Sequence, residues 1–240
     1  MTPSPTVAVL IHGGQVGAWV WGAVRSQLAA SSIAVDLPGH GNRSGSLKGL
    51  GVQDCVNAVI SELPPAGRIV LVGHSFGAAI ALAVAHRIPD RIAHIVLIAG
   101  MVPYPGAPLL SAFPPVIRLI SNVLFRLTSE FSQPLNVIKT KLLNGMPVAQ
   151  ADEAASKFTK ESSSLFLDRV EWRCDPAVPV TYVLCLNDRG VLSPAFQKQL
   201  AARLGSHVKI VPIDACHYAM LERPSEVAAV INAIASERLV

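Results

Sequence analysis

One pentapeptide, Gly73-His74-Ser75-Phe76-Gly77, constrains the fold more than any other part of the sequence. It lies between a β-branched run, Arg68 to Gly73, and a run of small and aliphatic residues, Ala78 to His86, which predict a strand and a helix. The residue at so sharp a strand-to-helix turn adopts a strained backbone conformation, and only small neighbours tolerate it. The two glycines provide that space, so the turn is expected to lift the Ser75 hydroxyl clear of a sheet.

The rest of the chain alternates short β-branched runs with longer helical runs. Because these strands are continuous hydrophobic runs, they are typical of a parallel sheet that is covered on both faces. The predicted strands are Val7 to Ile11, Ser32 to Asp36, Ile69 to Gly73, Ile92 to Ala99, Val180 to Leu186 and Val208 to Pro212. The predicted helices are Trp19 to Ala30, Val52 to Leu63, Phe76 to Arg87, Ser193 to Leu204 and Pro224 to Arg238. The pattern predicts an α/β fold with an open, doubly wound, mostly parallel sheet.

One long segment, from Val102 to about Phe166, interrupts this alternation and contains no convincing strand. It begins with a proline-rich stretch and continues with Val116 to Leu127, where the apolar residues predict an amphipathic helix with a wide apolar face. So long an insertion is expected to form its own subdomain, most simply a helical lid (residues 102–166) over a core made of residues 1–101 and 167–240. The alternative is that these residues form an extra packing layer that does not control access of substrate to the site.

The composition is poor in charge, with 51% hydrophobic and 15% charged residues. No residue from 1 to 24 or from 95 to 117 is formally charged, but glycines interrupt the first stretch and five prolines the second, so neither predicts a membrane span. The net charge of +4 comes without a basic stripe, which argues against a nucleic-acid partner. We expect a cytoplasmic protein whose small-molecule substrate is largely apolar; the oligomeric state cannot be inferred from these features.

The four cysteines, Cys55, Cys174, Cys185 and Cys216, form no C-x-x-C pair, and no histidine cluster has metal-ligand spacing. We therefore expect buried free thiols, no metal site and no cofactor. Cys216 is next to a histidine, but Ser75 is the better candidate nucleophile.

A serine hydroxyl needs a base within hydrogen-bond reach, and imidazole, with an ordinary pKa of about 6.5, suits that role. Among the seven histidines, His217 is the best candidate, because it follows the last predicted strand and so lies at the same sheet edge as Ser75. His74 is expected to point away from Ser75, by strand alternation.

The imidazole in turn needs a carboxylate to orient it. Asp188 follows the strand Val180 to Leu186, 29 residues before His217, and is the predicted acid. Its rival, Asp214, lies in the same loop as His217 and is more easily explained as a loop cap. The strand Ile92 to Ala99 is followed by Gly100 and Met101, so it offers no carboxylate.

Developing negative charge on a substrate oxygen calls for backbone N–H donors. The Phe76 amide lies at the start of the helix after Ser75, and Gly14, in the His12-Gly13-Gly14 stretch after the first strand, can approach a ligand closely. Gly14 and Phe76 are the predicted oxyanion donors, although a Gly-Gly pair is also compatible with a simple turn.

The order Ser75, Asp188, His217, together with GHSFG, HGG and the stretch Asp36 to Gly41, resembles the α/β-hydrolase superfamily over essentially the whole chain. The opening HGGQVGAWVWGAVRSQL is similar to the plant methyl esterase and hydroxynitrile lyase group. The resemblance implies attack of serine on an acyl carbonyl, proton transfer by His217 and hydrolysis by water. The lyases of that group have threonine in place of Gly13 and lysine in place of Tyr218, so the resemblance favours ester hydrolysis.

The leading hypothesis is a serine hydrolase that cleaves a small to medium, largely apolar carboxylic ester through an acyl-enzyme. The same residues also suit lactone or thioester hydrolysis, and cleavage of a carbon–carbon bond by a hydrolase or lyase. Two further alternatives are a non-catalytic ligand-binding receptor on the same scaffold and, given the apolar lid, a lipase that acts at a membrane surface. Relatives that act on haloalkanes or epoxides have aspartate in place of Ser75 and are set aside.

Overall fold

The computed structural model describes residues 6–173, 175, 177–190 and 192–236. The strands in this part of the chain are β1 (Thr6–Ile11), β2 (Ser32–Val35), β3 (Arg68–His74), β4 (Ile92–Ile98), β5 (Glu130–Phe131), β6 (Glu161–Ser162), β7 (Val180–Cys185) and β8 (Lys209–Ile213). Six of them form a parallel sheet in the order β2-β1-β3-β4-β7-β8. The ends of these six strands differ from the predicted ends by at most one residue, which confirms the predicted parallel sheet.

Helices cover both faces of this sheet. They are α1 (Gly22–Arg25), α2 (Val52–Ser61), α3 (Phe76–Arg87), α4 (Pro115–Leu127), α5 (Leu135–Val137), α6 (Val148–Ser156), α7 (Ser163–Leu167), α8 (Pro194–Ala202), α9 (Ala219–Glu222) and α10 (Pro224–Ser236). Alternate residues of β3 pack into two different buried clusters, Ile69 and Leu71 with α2 and α3, and Val70 and Val72 with α10. The α/β class, with a sheet buried on both faces, is therefore confirmed.

One predicted helix, Trp19 to Ala30, is wrong in extent. The structure has a 3₁₀ turn followed by the single turn α1, which ends at Arg25. The side chains of Ser26 and Gln27 both donate to the backbone oxygen of Ala23, and such local bonds compete with helix continuation. The end of the predicted helix Pro224 to Arg238 lies outside the described residues.

The register of the sheet aligns the carboxyl ends of its strands at one edge. Ile11 of β1 lies beside Gly73 of β3, and the next residue of β3, His74, lies beside Ile98 of β4. Ile98 in turn pairs with Val183 of β7. Residues that follow these strands are therefore brought together, which is the condition for the predicted site.

Residues 102–166, here called the insertion, lie between β4 and β7 and contain α4, α5, α6 and most of α7. They also contain β5 and β6, which form a two-stranded antiparallel pair. No strand was predicted in the insertion, because a strand of two residues is too short to show a hydrophobic period. The rings of Phe113, Phe125, Phe131 and Phe166 form one aromatic cluster, and Phe166 also contacts Phe76 at the start of α3.

Among the described residues, no helix is both long enough and apolar enough to cross a membrane.

Candidate active site

The strand-to-helix turn has the strained geometry that the sequence predicts. Ser75 lies between β3 and α3 with φ of 53° and ψ of −122°, in the left-handed half of backbone space. A Cβ atom on Gly73 would lie 2.5 Å from the backbone oxygen of Gly77, and one on Gly77 would lie 2.3 Å from that of His12. Both positions therefore require glycine, which holds β1, β3 and α3 in close contact around Ser75.

His217 and Asp188 form a short, buried pair. The Nδ1 atom of His217 lies 2.6 Å from Oδ2 of Asp188, and both side chains are almost fully buried. The other oxygen of Asp188 accepts the backbone N–H of Gly190 at 2.8 Å. Both oxygens of Asp188 thus take part in hydrogen bonds, and a carboxylate held in this way beside Nδ1 fixes the orientation of an imidazole ring.

Gln197, on α8, was missed by the sequence analysis. Its Nε2 donates to Asp188 Oδ2 at 3.0 Å and to the backbone oxygen of Leu192 at 2.7 Å, while its Oε1 accepts from the backbone of Cys185 at 3.0 Å. The two backbone contacts fix the amide group of Gln197, and its third hydrogen bond orients the carboxylate of Asp188. No sequence signal distinguishes it from the other polar residues of an ordinary helix.

Asp214, the rival acid, is used elsewhere. Its Oδ1 accepts a hydrogen bond from the side chain of Asn187 at 2.5 Å, and its backbone oxygen accepts from Arg223. Asp214 therefore joins the loops that follow β7 and β8, as expected for a loop cap.

His74 supports the loop that carries His217. Its Nε2–H donates to the backbone oxygen of His217 at 3.0 Å, and its ring packs against the rings of His217 and Tyr218 at centroid distances of 4.8 and 4.7 Å. Complete burial lowers the pKa of His74 well below its usual value, so the ring is neutral. A Cβ atom on Gly13 would lie 2.7 Å from Nδ1 of His74, so Gly13 is required by this packing.

The predicted oxyanion donors lie in the same pocket. Gly14 and Phe76 both line it, together with Ser75 and His217. The Gly14 carbonyl accepts the hydroxyl of Tyr218 at 3.1 Å, while its N–H bonds to no group in the described part of the chain. Burial raises the pKa of the Tyr218 hydroxyl above its usual value, which keeps it a hydrogen-bond donor.

A second buried histidine–carboxylate pair contacts the loop that carries Gly14 and was not predicted from the sequence. Glu161 of β6 accepts the backbone N–H of Gln15 at Oε2 (3.1 Å) and that of Ser162 at Oε1 (2.9 Å). Nε2 of His40 lies 3.3 Å from the same Oε2. Burial raises the pKa of Glu161, and the neighbouring His40 opposes that shift. The sequence carries no signal for Glu161, which is one polar residue in a polar stretch.

Gln15 attaches the same loop to the insertion at further points. Its φ of 65° is unusual for a residue other than glycine. Its side-chain Oε1 accepts the backbone N–H of Gln133 at 2.7 Å, and its backbone oxygen accepts that of Thr159 at 2.8 Å. The loop after β1 is thus held by the insertion as well as by the core.

The pocket has a volume of about 680 Å³ and lies between the sheet edge and the insertion. Its wall includes all four rings of the aromatic cluster together with Met101, Ile117 and Leu124. Its two charged lining residues, Lys141 and Arg189, are exposed to solvent. The buried part of the wall is therefore uncharged and mostly apolar.

The thiols within the described residues are free and buried: Cys55, Cys185 and Cys216. Burial raises the pKa of Cys216 above its usual value, so its thiolate is disfavoured despite its position next to His217. Cys174 lies outside the described residues. The described residues contain no group of histidine, cysteine and acidic side chains that could hold a metal ion.

Comparison with known proteins assigns the class. The chain matches the alpha/beta hydrolase family over residues 8–230, and therefore belongs to that family.

Among its relatives, polyneuridine aldehyde esterase of Rauvolfia serpentina is 27% identical over 248 residues, which cover 91% of each chain. Methylesterase 8 of Arabidopsis thaliana is 33% identical over 103 residues, 40% of this chain and 38% of that protein. An extracellular α/β-hydrolase from a Paenibacillus species has the same fold, with a TM-score of 0.84, 19% identity and coverage of 97% of this chain and 100% of that one. The predicted resemblance to plant methyl esterases is confirmed.

Proposed function

We propose that this protein is a serine hydrolase that cleaves a small to medium, largely apolar carboxylic ester through an acyl-enzyme. The observation that carries the proposal is the buried His217–Asp188 pair, with His217 lining the same pocket as the strained Ser75. Membership of the alpha/beta hydrolase family and similarity to relatives named as esterases support the same reaction.

In the first half of the proposed reaction, Ser75 Oγ attacks the ester carbonyl carbon while its proton passes to Nε2 of His217. Asp188 stabilises the resulting imidazolium. His217 then gives the proton to the departing alkoxide oxygen as the carbon–oxygen bond breaks, which releases the alcohol and leaves an acyl group on Ser75.

In the second half, water attacks the acyl carbonyl and gives a proton to His217. The bond to Ser75 Oγ breaks as the serine takes that proton back, and the carboxylic acid is released. In both halves the negative oxygen is stabilised by the N–H groups of Gly14 and Phe76, and such donors contribute about 10²- to 10³-fold each to kcat.

Cyanohydrin cleavage is disfavoured by packing as well as by the resemblance. The threonine of the lyases would stand at Gly13, where a Cβ atom would lie 2.7 Å from His74 Nδ1 and 2.9 Å from Ser75 Cβ. The lysine of the lyases would stand at Tyr218, whose buried hydroxyl is already bonded to Gly14.

The insertion would act as a lid that shapes the substrate site. Its residues Ile117, Leu124, Phe125 and Phe131 contribute to the wall of the pocket that Ser75 also lines. An apolar acyl or alcohol group suits this wall, because burying a polar group there without a partner carries a free-energy cost.

The deciding experiment measures hydrolysis of a panel of p-nitrophenyl and methyl esters by the purified protein, with Ser75→Ala as the matched control. We expect turnover by the wild type, none above background by the variant, and labelling of Ser75 by a fluorophosphonate probe. Binding of the same esters without turnover and without Ser75 labelling would contradict the proposal and favour a receptor.

A further inference from the structure

Helix α4 is amphipathic, but its apolar side faces away from the protein. At 100° per residue, its large apolar residues fall on one arc of about 160° with no polar residue among them. This outward arc consists of Val116, Ile117, Leu119, Ile120, Val123, Leu124 and Leu127. Their exposed fractions range from 37% to 79%.

The opposite side of α4 makes the contacts with the body of the protein. Phe125 is the buried residue of this helix and packs against Phe131 and Phe166, and its neighbours Ser121 and Asn122 are half-buried. A surface helix ordinarily turns its apolar side inward, so the orientation of α4 indicates that another surface covers the outward arc.

The size of the arc fits a protein partner. From the exposed fractions, the five residues of the arc that do not line the pocket offer on the order of 550 Å² of apolar surface, at the upper end of the roughly 300–600 Å² of the largest patch on a typical monomer. A stable dimer buries roughly 800 Å² on each partner, of which the centre is the most apolar part. The arc therefore supplies more than half of the area that one side of a dimer needs, as the apolar centre of a larger interface.

The spacing within the arc fits a second helix. Val116, Ile120, Val123 and Leu127 are separated by four, three and four residues, which is the a/d spacing of a helix–helix seam. No charge interrupts this seam. Arg118 lies on the opposite side of α4, close enough to Arg203 to interact with it, and Arg126 bonds to Asn122.

We propose that the outward arc of α4 is the contact surface for a second copy of this chain, in a symmetric dimer that pairs the two α4 helices. A twofold axis places the same arc on both partners, so a self-complementary apolar seam suffices. A lipid surface is the weaker candidate, because a helix that lies on a membrane carries a polar face rich in Lys and Arg, whereas the polar side of α4 has only Arg118 and Arg126 and packs on the body of the protein through Phe125.

The dimer would also bear on the pocket. Ile117 and Leu124 belong both to the outward arc and to the pocket wall. The second copy would therefore cover the apolar side of the pocket entrance and shield it from water.

The test measures the mass of the full chain in solution by sedimentation equilibrium. We expect the wild type at tens of micromolar to have twice the mass of one chain, and Ile120→Glu/Val123→Glu to be a monomer, because two uncompensated charges in the seam raise Kd by about 10²-fold or more. Neither residue lines the pocket, so Ser75 of the monomeric variant should still be labelled by the fluorophosphonate probe. Val148→Glu is the matched control, since Val148 on α6 is 77% exposed and lies outside the arc, and it should remain a dimer.

A wild type that stays monomeric at several hundred micromolar would overturn the proposal, as would a dimer that persists in the double variant. Monomeric wild type that floats with phosphatidylcholine–phosphatidylglycerol vesicles, while the double variant does not, would also overturn it and assign the arc to a lipid surface. Circular dichroism checks the fold. If the glutamates prevent folding, Ile120→Gln/Val123→Gln takes their place and should likewise be monomeric.

Discussion

The two buried histidine–carboxylate pairs of this molecule have the same chemical groups and different surroundings. In the His217–Asp188 pair, one ring nitrogen bonds to the carboxylate and the ring lines the pocket. In the His40–Glu161 pair, Nδ1 lies 3.2 Å from the backbone oxygen of Pro38, and Nε2 lies 3.2 Å from that of Lys160. Both nitrogens of His40 thus face acceptors within the protein, and its ring does not line the pocket.

The difference shows that pairing with a buried carboxylate does not by itself make a histidine a base. A base needs one nitrogen without a proton, and that nitrogen must face the substrate. The ring of His217 lines the pocket, as the proposed base must, whereas His40 is suited to hold Glu161, and through it the N–H of Gln15 next to Gly14, the proposed oxyanion donor. The His217–Asp188 pair would move a proton, and the His40–Glu161 pair would position the backbone of the loop that carries Gly14.

Removal of each histidine in turn tests this difference between the two pairs. We expect His217→Ala to lower kcat for a p-nitrophenyl ester by about 10⁴-fold or more, because triad members act as a unit. His40→Ala should leave at least 1% of the activity, since its ring contacts no reacting atom. Equal losses, measured on variants with wild-type circular dichroism, would contradict the assignment of the base.

Replacement of the first carboxylate should have the next largest effect. Asp188→Asn keeps the size of the side chain but favours the wrong tautomer of His217, so we expect kcat to fall by about 10³- to 10⁴-fold. Asp214→Asn is the matched control, because Asp214 bonds to Asn187 and not to His217. A fully active Asp188→Asn variant would show that another group orients the base.

A third buried histidine, His12, is held neutral by the fold and should make the stability of the protein depend on pH. Its Nε2 accepts the backbone N–H of Leu37 at 3.0 Å, so protonation would break that bond, and burial lowers the pKa of His12 to about 4. The unfolded chain, with an ordinary pKa near 6.5, binds the proton first as the pH falls. The contribution of His12 to the free energy of unfolding is therefore fully present above pH 6.5. It falls by about 3 kcal/mol as the pH is lowered to 4.

The variant His12→Gln retains a donor and an acceptor but does not titrate. We expect its free energy of unfolding, from urea denaturation between pH 7 and 4, to fall less steeply than that of the wild type. His86→Gln, at an exposed histidine, should leave the slope unchanged. An unchanged slope in His12→Gln would mean that His12 is not held neutral by the fold.

The smallest effect is expected at the second carboxylate. Glu161→Gln keeps the shape of the side chain but turns an amide group towards a backbone N–H, so the Gly14 loop should shift slightly. We expect kcat to fall by about 10-fold, with KM nearly unchanged, because the loss concerns only the transition state. Glu130→Gln is the control, since Glu130 in the adjacent strand β5 forms an exposed pair with Lys160. A loss confined to KM would contradict a role in positioning the oxyanion donor.

Sequence reasoning could find Ser75, Asp188 and His217 because each follows a predicted strand, and parallel strands end at one edge. Glu161 and Gln197 could not be found in this way, since neither follows a strand of the main sheet nor belongs to a local pattern. Glu161 reaches the Gly14 loop only because the insertion folds back over it, 146 residues along the chain from Gln15.

The sequence by itself determined the features that depend on local physics: the six parallel strands, the glycines that permit the turn at Ser75, and the existence of an apolar side on α4. Only the tertiary structure decided which groups meet across long separations and which way each side faces. The physical reason is that hydrophobic periodicity shows that a helix has a surface to bury, but not what buries it. The outward direction of the α4 arc and the meeting of His40 with Glu161 were both decided by the tertiary structure.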